Sequence, residues 1–408
     1  MNSSIARSKV ADSEAVDYAT LEEVTTSRHI TDPTRFLLWG RSGGRCQFNG
    51  CNSPLWKNPV TQEPVNVAQA AHIYAFSSAG ARGNRGIPKS ELNIFSNLLL
   101  TCHKCHKTID KDEDGGRYSV ELLKNWKARH EARIERVTGI DPDHHSHVIL
   151  YDRAIGGIHS PVQYDRASVA MFPNRFPAED QPLQLAATAS DSTERDEEFW
   201  AVETRDLERK FERKIHDRMA DGEIDHLSVF ALAPMPLLIR LGTLLTEIRD
   251  VDVYQLHREP KGWAWPSVDQ GIDLKVEKPS SYDGAPALVI ALSATIDDSR
   301  VKRVLGENAV IWRITIPEPT QECIRSKADL SSFRQAIRHL LNEIKATHGQ
   351  DAVLSIFPAA PVSTMVEFGR VRQPKADLDW IIFDENRALG GFTKAIGIGT
   401  QATQANTH

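Results

Sequence analysis

The stretch Cys46-Gln-Phe-Asn-Gly-Cys51 and the stretch Cys102-His-Lys-Cys105 decide the fold of the N-terminal part of the chain. They hold four of the five cysteines in 408 residues, in two short pairs about fifty residues apart. This spacing is typical of a tetrahedral Zn²⁺ site, because each pair closes a small loop over the metal and the metal joins the two loops. Four thiolates fill the coordination of the ion, so we expect a structural zinc held by Cys46, Cys51, Cys102 and Cys105.

Two disulfides are the alternative interpretation of these cysteines. The N-terminus shows no basic start followed by an apolar core, so the sequence predicts no export signal. No stretch approaches the roughly 18 consecutive apolar residues of a membrane span, so we expect no membrane partner. We therefore expect a cytoplasmic protein whose free thiols bind metal, with Cys323 left over as a buried thiol without a role.

Three polar residues lie between and just after the cysteine pairs. They are His72 in the run Ala-Ala-His-Ile, Asn97 before an apolar run, and His106 directly after the second pair. With the cysteine frame, this order resembles the HNH endonuclease family over roughly residues 41 to 137. The ββα-metal motif of that family has a His on its first strand, an Asn before its helix and a second His on the helix.

The resemblance implies phosphodiester hydrolysis with one catalytic metal, Mg²⁺ or Mn²⁺. It assigns His72 as the general base, a role that suits an imidazole that is neutral near pH 7. It assigns His106 as a ligand of the catalytic metal, and Asn97 as the residue that orients His72 or completes the metal site. His103 is a rival to His106, since both lie in the run Cys-His-Lys-Cys-His.

The sequence departs from the family pattern at Ala71, where the family often has an acidic or His metal ligand. Asp110 follows His106 by four residues and shares its helix face if the helix continues, so it is a substitute ligand. The alternative is that Asp110 is a solvated charge at the end of the helix.

Charge is unevenly distributed along the chain. Residues 41–140 hold 15 Lys and Arg against 9 Asp and Glu, a net +6, so the overall charge of −6 leaves −12 elsewhere. A basic module on an acidic chain is what a polyanion-binding nuclease needs. The Gly- and Arg-rich loop of residues 77–90 contributes Arg82 and Arg85 as candidate DNA contacts, although an idle solvated loop fits the same composition.

The length of 408 residues predicts two or three domains. We expect an N-terminal extension at 1–40, the nuclease domain at 41–138, a linker at 139–154, a second large domain at 155–400 and a tail at 401–408. The linker is Pro-, Asp- and His-rich. His144, His145 and His147 suggest metal binding, but a polar linker is the favoured interpretation.

An internal repeat organises the second large domain. Residues 227–242 and 354–369 share Leu, Ser, Phe, Ala, Pro and Gly at six of sixteen aligned positions. Each copy follows a charged helix and reads as a buried strand, an Ala-Pro turn and a helix. Further strands are expected at 251–256 and 287–293 in the first half, and at 310–316 and 380–383 in the second. This predicts two Rossmann-like α/β halves about a pseudo-twofold axis, beside an α+β nuclease domain.

Ligands of such sheets bind beyond the carboxyl ends of the strands, where both Ala-Pro turns are expected. The sequence has no Gly-rich dinucleotide fingerprint and no Walker loop, so neither NAD nor ATP is predicted. Aromatic and cationic side chains near the first turn suit a nucleotide, although aromatics that pack a sheet edge fit equally well. The candidate ligand-binding residues are Pro234, Pro236, Tyr254, His257, Arg258, Trp263, Trp265 and Pro361.

The runs Phe-Ala-Leu-Ala-Pro-Met-Pro, Val-Tyr-Gln-Leu-His-Arg and Phe-Pro-Ala-Ala-Pro-Val-Ser make residues 155–400 similar to the SAVED domain. That family is similar to a fused pair of CARF-like Rossmann folds and binds cyclic oligonucleotides. A nuclease of the HNH type ahead of a SAVED domain resembles the effectors of bacterial CBASS anti-phage systems. The resemblance implies that a cyclic di- or trinucleotide drives a homo-oligomer, a dimer or higher, to cleave double-stranded DNA in the bacterial cytoplasm.

Two other functions remain open from the sequence. A non-catalytic, zinc-containing DNA-binding regulator is favoured by Ala71. A modification-dependent restriction endonuclease is disfavoured by the acidic C-terminal part, because a DNA reader needs a basic surface.

Overall fold

The computed structural model describes residues 29–399, except 81, 113, 156–157, 159, 186–193, 195–197, 247–249, 267–270 and 387–389. Most of the predicted N-terminal extension (1–28) and the predicted tail (401–408) lie outside the described residues. The chain divides into two compact units, residues 1–139 and 140–408. Within the described part of the chain, no helix combines the length and hydrophobicity needed to cross a membrane.

The N-terminal unit is a short antiparallel strand pair surrounded by helices. Its elements are α1 (Asp32–Ser42), β1 (Ala68–His72), α2 (Lys89–Leu92), a 3₁₀ turn (Phe95–Asn97), β2 (Leu98–Cys102), α3 (His103–Asp110) and α4 (Val120–Thr138). β1 and β2 pair antiparallel, with Ala68 opposite Cys102 and His72 opposite Leu98. The pair therefore places His72 and the second cysteine pair at opposite ends of one hairpin.

Helix α1 corrects the predicted extension, because residues 32–40 belong to the folded unit. Thr31 caps its N-terminus by accepting the N–H of Thr34, and Pro33 lies in its first turn. Gly43 ends it at φ +60°, in the left-handed conformation that favours glycine. Leu38 is fully buried, so α1 contributes to the core that leads into the first cysteine pair.

The C-terminal unit contains two sheets flanked by helices. Its helices are α5 (Tyr164–Met171), α6 (Phe199–Phe211), α7 (Asp217–Ala220), α8 (Met235–Leu245), α9 (Asp298–Leu305), α10 (Lys327–His348) and α11 (Val362–Arg370), with a π-helical turn (Glu212–His216) between α6 and α7. Its strands are β3 (His145–Asp152), β4 (Phe176–Pro177), β5 (Leu183–Gln184), β6 (His226–Leu232), β7 (Asp250–Val253), β8 (His257–Arg258), β9 (Lys261–Gly262), β10 (Lys275–Glu277), β11 (Pro286–Ala291), β12 (Val310–Thr315), β13 (Val353–Ala359), β14 (Asp379–Asn386) and β15 (Gly391–Ile398).

The first sheet is parallel, with strand order β4-β3-β6-β7 and β5 also paired to β3. The second sheet has the order β10-β12-β11-β13-β14-β15, with antiparallel strands only at its edges. Parallel strands joined by helices are the α/β pattern that the strand–turn–helix repeat predicts. A small β8–β9 hairpin stands apart from both sheets.

Two sequence predictions fail in this unit. The linker predicted at 139–154 is wrong over residues 145–152, which form β3, buried along almost its whole length in the first sheet. Its opening His-Ser-His gives a polar composition, but the following Val-Ile-Leu-Tyr run lies in the core. The strand predicted at 287–293 pairs with β12 and β13, so it belongs to the second sheet rather than to the first half.

The two repeat copies meet at their final glycines. A Cβ added to Gly242 of α8 would come within 2.0 Å of the carbonyl oxygen of Val366, and one added to Gly369 of α11 within 2.1 Å of that of Ile239. Val366 and Ile239 each precede their own glycine by three residues, so the two contacts are equivalent. The repeat therefore packs about a local pseudo-twofold axis, and glycine at this position lets the helix backbones touch.

Candidate functional site

The four cysteines of the N-terminal unit form one cluster. Their sulfur atoms all lie within 4.8 Å of one another, and the Sγ atoms of Cys51 and Cys102 are 4.0 Å apart. A tetrahedron of sulfurs about 2.3 Å from a zinc ion has edges of about 3.8 Å. The backbone N–H of Cys102 also donates to Sγ of Cys46, at 3.3 Å. The donor set and its geometry thus fit a structural Zn²⁺ site.

Burial opposes thiolate formation in this cluster when no cation is bound. Burial raises the pKa of the Cys46 thiol to about 12, so this thiol resists ionisation on its own. Burial opposes ionisation of Cys51 too, but hydrogen bonds from Ser53 outweigh it and lower the Cys51 pKa to about 7. All five cysteines are free thiols, so the disulfide alternative is not what the structure forms. A divalent cation would stabilise four thiolates in this space.

His72 ends β1 and is held by a residue that the sequence analysis did not select. Its Nε2 lies 2.9 Å from Oδ1 of Asn93, whose Nδ2 donates to the carbonyl oxygen of His29 at 3.1 Å. Asn93 is buried, while His72 is half-buried. The only sequence signal for Asn93 is its position just before the 3₁₀ turn.

Asn97 acts on the backbone instead of on the His72 ring. Its Oδ1 accepts the N–H of Tyr74 at 2.8 Å, and its Nδ2 donates to the carbonyl oxygens of Tyr74 and Leu92 at 3.1 and 2.8 Å. The structure thus differs from the prediction that Asn97 orients the base directly. The amide fixes the chain just after His72, and the contact to the ring itself comes from Asn93.

His106 lies on α3, which continues to Asp110 as the ligand hypothesis requires. Nδ1 of His106 is 3.0 Å from Oδ2 of Asp110. The rival His103 is exposed and its Nδ1 lies 2.9 Å from Nε2 of Gln69, at the far end of the hairpin from His72. Mg²⁺ prefers oxygen ligands and usually takes only one or two carboxylates from the protein, so Asp110 suits it. An imidazole is a less usual Mg²⁺ ligand, so His106 is the weaker candidate of the two.

Ala71 departs from the family pattern for a packing reason. It is buried with Ile73 and with Ile109 of α3 in one hydrophobic cluster, while His72 between them points to the other face. Among the described residues, groups of three or more His, Cys, Asp or Glu with ligand atoms within 4.8 Å of one another are the four cysteines and the exposed set Glu212, His216 and Asp217. The His106 site thus has fewer protein ligands than a closed cage.

Arg82, predicted as a DNA contact, folds back onto the protein. Its Nε donates to the carbonyl oxygen of Ile73 at 2.8 Å, and burial lowers its pKa against the opposing effect of Asp110 and Asp112. The side chain also packs against Gly115, where a Cβ would come within 2.5 Å of it. Arg82 therefore supports the backbone at the end of β1. Arg85, in contrast, is exposed.

Two lysines that sequence reasoning missed lie close to His72. Nζ of Lys89 is 6.0 Å from the ring centroid of Phe76, and that ring is 5.9 Å from the His72 ring. Nζ of Lys124 is 5.1 Å from the ring of Tyr74, two residues beyond His72. Both lysines are exposed, and each lies over an aromatic ring within four residues of His72; together they are called the cationic rim below.

In the C-terminal unit, both Ala-Pro turns lie where the repeat predicts. Pro234 follows β6 and begins α8, and Pro361 follows β13 and begins α11. The two ends are connected, because Oε1 of buried Gln255, just after β7, accepts from both the N–H and the hydroxyl of Ser363. The carboxyl ends of the two halves therefore come together around the start of α11.

Some of the residues predicted to bind the ligand are buried in the hydrophobic core instead. Tyr254 and Trp263 are 2% and 4% exposed, and Tyr254 stacks on Phe230 at a centroid distance of 4.3 Å. Pro236 is also buried, inside α8. The prediction that Tyr254 and Trp263 stack on a ligand is therefore wrong for this conformation. Aromatic residues that cover a sheet face have the same composition as a stacking platform.

Several polar side-chain atoms next to this core lack hydrogen-bond partners among the described residues. Both ring nitrogens of His257, which is 1% exposed, lack a hydrogen-bond partner among the described residues, as do Nε1 of Trp265 and Oε2 of Glu322. His257 Nδ1 lies 3.6 Å from that Glu322 oxygen, and the His257 and Trp265 rings are 5.6 Å apart. Glu322 Oε1 accepts the N–H of exposed Arg258. Buried polar atoms without partners are unusual in a folded protein.

The C-terminal unit is thus an α/β domain built from two related halves. Residues 207–398 match the family model described as the SMODS-associated and fused to various effectors sensor domain, SAVED. The match supports the predicted SAVED resemblance over residues 207–398, within the range 155–400 for which the sequence indicated it.

Solved structures of two SAVED/CARF-domain receptors named Cap4 are similar to the chain. The receptor from Acinetobacter baumannii with the cyclic trinucleotide 2'3'3'-cAAA is 12% identical with a TM-score of 0.41, over 69% of this chain and 60% of that one. The receptor from Moraxella osloensis is 11% identical with a TM-score of 0.37, over 69% and 59%. The chain thus spans about three fifths of the length of these structures. No curated protein matches the chain.

Proposed function

We propose that the protein is a metal-dependent endonuclease of bacterial anti-phage defence that cleaves double-stranded DNA when its SAVED domain binds a cyclic oligonucleotide. The observation that carries the proposal is the joint presence of a SAVED domain and an N-terminal unit in which a four-cysteine cluster frames a held histidine. Cap4 receptors with this kind of domain have been solved with cyclic trinucleotides.

His72 is the general base of the proposed reaction. It takes a proton from a water molecule, whose oxygen forms a new bond to phosphorus; the bond from phosphorus to one sugar oxygen breaks, and that oxygen takes a proton from solvent. His106 and Asp110 would hold the catalytic Mg²⁺ or Mn²⁺, which supplies charge stabilisation to the phosphate when bound. Asn97 keeps the chain after His72 fixed through its bonds to Tyr74 and Leu92.

Lys89 and Lys124, with Arg85, are the proposed contacts to the DNA backbone. Phosphate contacts position a duplex without reading its sequence, and exposed cations beside the base fit that role. The net charge of +6 over residues 41–140 favours binding of a polyanion here.

The second messenger is proposed to bind at the carboxyl ends of the sheets in the C-terminal unit. Exposed Arg258 and the half-buried ring of Trp265 are the members of the predicted set that a ligand can reach, and they suit a phosphate and a base. Gln255 and Ser363 connect this region to the start of α11, so a ligand here would sense both halves. Ligand binding is then proposed to assemble a homo-oligomer, which aligns the nuclease units on DNA.

Plasmid cleavage in Mg²⁺ across a panel of cyclic di- and trinucleotides tests this proposal, with a His72→Ala protein alongside. We expect one ligand to trigger cleavage by the wild type and not by the variant. Cleavage without any ligand would remove the gating, and intact plasmid under every condition would remove the nuclease.

A non-catalytic, zinc-containing DNA-binding regulator is the second candidate, favoured by one observation. Ala71 is 1% exposed and carries no ligand atom, so the unit has fewer metal ligands than the family pattern. This candidate predicts that His72→Ala binds DNA and ligand as the wild type does and that neither protein cleaves.

A further inference from the structure

The hydrogen bonds that surround Asn93 form a directional chain that ends on His72. Nδ2 of Asn93 is 3.1 Å from the carbonyl oxygen of His29, and Oδ1 is 2.9 Å from Nε2 of His72. A backbone carbonyl can only accept a hydrogen bond, so the Asn93 –NH₂ group must face His29. The carbonyl oxygen of the amide must then face His72. The usual ambiguity between the two ends of an Asn side chain is removed here by the fixed partner.

The orientation of Asn93 decides which nitrogen of His72 carries the proton. An amide oxygen is an acceptor only, so the ring nitrogen that faces it, Nε2, must be the N–H nitrogen. A neutral imidazole has one N–H and one lone pair, so the lone pair lies on Nδ1. Asn93 thus links the backbone at His29 to the protonated nitrogen of the His72 ring.

Burial makes this constraint strong. Asn93 is 8% exposed, and burial makes an unpaired amide costly. Reversing the amide would place its –NH₂ group against Nε2 of His72 and its oxygen against the carbonyl oxygen of His29. The second contact is repulsive, so the reversed arrangement is disfavoured. Phe76 packs edge-on against the His72 ring at 5.9 Å and further limits its rotation.

We propose that Asn93 is the positioning residue of the base: it holds His72 as the Nε2–H tautomer and thereby makes Nδ1 the atom that accepts the proton of the attacking water. This inference rests on the proposed function for its catalytic meaning. The tautomer itself is a property of the folded protein and does not depend on that function. Asn97, by contrast, fixes the backbone on the far side of the same turn.

Nuclear magnetic resonance of the full-length protein above pH 8 tests the tautomer without any need for cleavage. Histidine side-chain nitrogens are labelled with ¹⁵N, and His72 is assigned by the signal that His72→Ala removes. We expect wild-type His72 with its proton on Nε2. In Asn93→Leu, which has a similar volume and no acceptor, we expect a mixture of tautomers. Asn93→Asp keeps an acceptor for Nε2 but replaces the donor to His29 by an oxygen, so we expect Nε2 to keep its proton while the side chain is held less firmly.

Kinetics provide the second measurement, with ligand and DNA at increasing concentrations. We expect Asn93→Leu to lower kcat by roughly 10²-fold with KM nearly unchanged, because a general base contributes about 10²–10⁴ and the variant misplaces it without removing a DNA contact. Asn93→Asp should recover part of that loss. Asn66→Leu, which changes an exposed Asn at the start of β1, is the matched control and should retain wild-type kcat.

Each outcome decides the inference. Wild-type His72 with its proton on Nδ1, or an Asn93→Leu protein whose tautomer and kcat match the wild type, would overturn it. Zinc content shows whether Asn93→Leu is folded; if it is not, the wild-type and Asn93→Asp tautomers alone decide. If the wild type never cleaves DNA but His72 is the Nε2–H tautomer and Asn93→Leu alters it, the proposed function fails while the positioning role of Asn93 stands.

Discussion

The two units of this chain reach stability by different routes. The N-terminal unit has one two-stranded ladder and two small buried clusters, and its four cysteine sulfurs converge on one point. The C-terminal unit has two sheets of five and six strands and a continuous apolar core that includes residues of both. Small units often need a metal because they cannot bury enough apolar surface, whereas larger ones can. A chemical change should therefore destabilise one unit without destabilising the other.

The largest effect is expected from removing one of the four cysteines proposed to bind zinc. Cys102→Ser should unfold the N-terminal unit, because structural zinc contributes about 10–16 kcal/mol that the apo unit must do without. The C-terminal unit should keep its thermal transition. Zinc content, limited proteolysis and calorimetry of the full chain measure this. Cys323→Ser, which changes a thiol outside the cluster, is the control, and a Cys102→Ser protein with full zinc content and intact protease resistance would contradict the idea.

The second-largest effect on stability is expected in the C-terminal unit, where α8 and α11 touch at Gly242 and Gly369. Gly242→Val should destabilise the C-terminal unit by about 3 kcal/mol or more, because its Cβ would lie 2.0 Å from a backbone oxygen that cannot rotate away. Gly369→Val should do the same. Urea unfolding measures both. Gly40→Ala is the contrasting variant: this helical glycine has nothing within 4 Å, so the N-terminal unit should gain about 0.5–1 kcal/mol.

Acid is expected to weaken the C-terminal unit through His226. Burial lowers the pKa of this side chain to about 4, against 6.5 in the unfolded chain. Between pH 6.5 and pH 4, the unfolded state therefore binds a proton on His226 that the folded state does not bind. The stability is fully present above pH 6.5 and is lost as the pH falls towards 4, by up to about 3 kcal/mol. Arg175 and Lys327 add to the shift, while Asp250 and Asp252 oppose it.

Unfolding free energies from pH 7 to pH 4 measure this effect. His226→Gln should flatten the curve, while His339→Gln, at an exposed position, should leave it unchanged. Equal pH dependence in His226→Gln and wild type would show that other groups control acid unfolding.

The smallest effect is expected at the cationic rim. Lys89→Gln with Lys124→Gln should weaken DNA binding about tenfold or less and reduce the salt dependence by about two counterions, because each contact releases about one. Fluorescence anisotropy on a short duplex, from 50 to 200 mM salt, measures this. Lys375→Gln, an exposed change in the other unit, is the comparison. An unchanged salt slope would place the DNA path elsewhere.

The same contrast explains how much the sequence could predict. The cysteine cluster could be predicted from spacing alone, because two short-spaced cysteine pairs are typical of one shared site, and the four sulfurs do lie together. The repeat was also readable, since its Ala-Pro turns start α8 and α11 as expected. β3 was missed because a His-rich start concealed a buried strand that begins the first sheet.

The candidate site was predictable in its strand position but not in its contacts. His72 lies on a strand as expected, although the strand ends there and does not continue to Phe76. The hydrogen bond to its ring comes from Asn93, twenty-one positions along the chain. Arg82 and Tyr254 failed for one shared reason. Residue type predicts what a side chain can bind, whereas burial decides whether it faces a ligand or the protein, and burial depends on contacts distant in sequence.

The paired glycines have an evolutionary consequence. A chain with a single copy of the repeat would make the same contact across a true twofold axis between two molecules, with one glycine serving both sides. In such a homodimer every substitution in the repeat occurs on both sides of the contact. Fusion of the copies frees each side to change alone, so Arg240 of one helix could diverge from Glu367 of the other while both glycines stayed. An asymmetric messenger could then be recognised by a nearly symmetric frame.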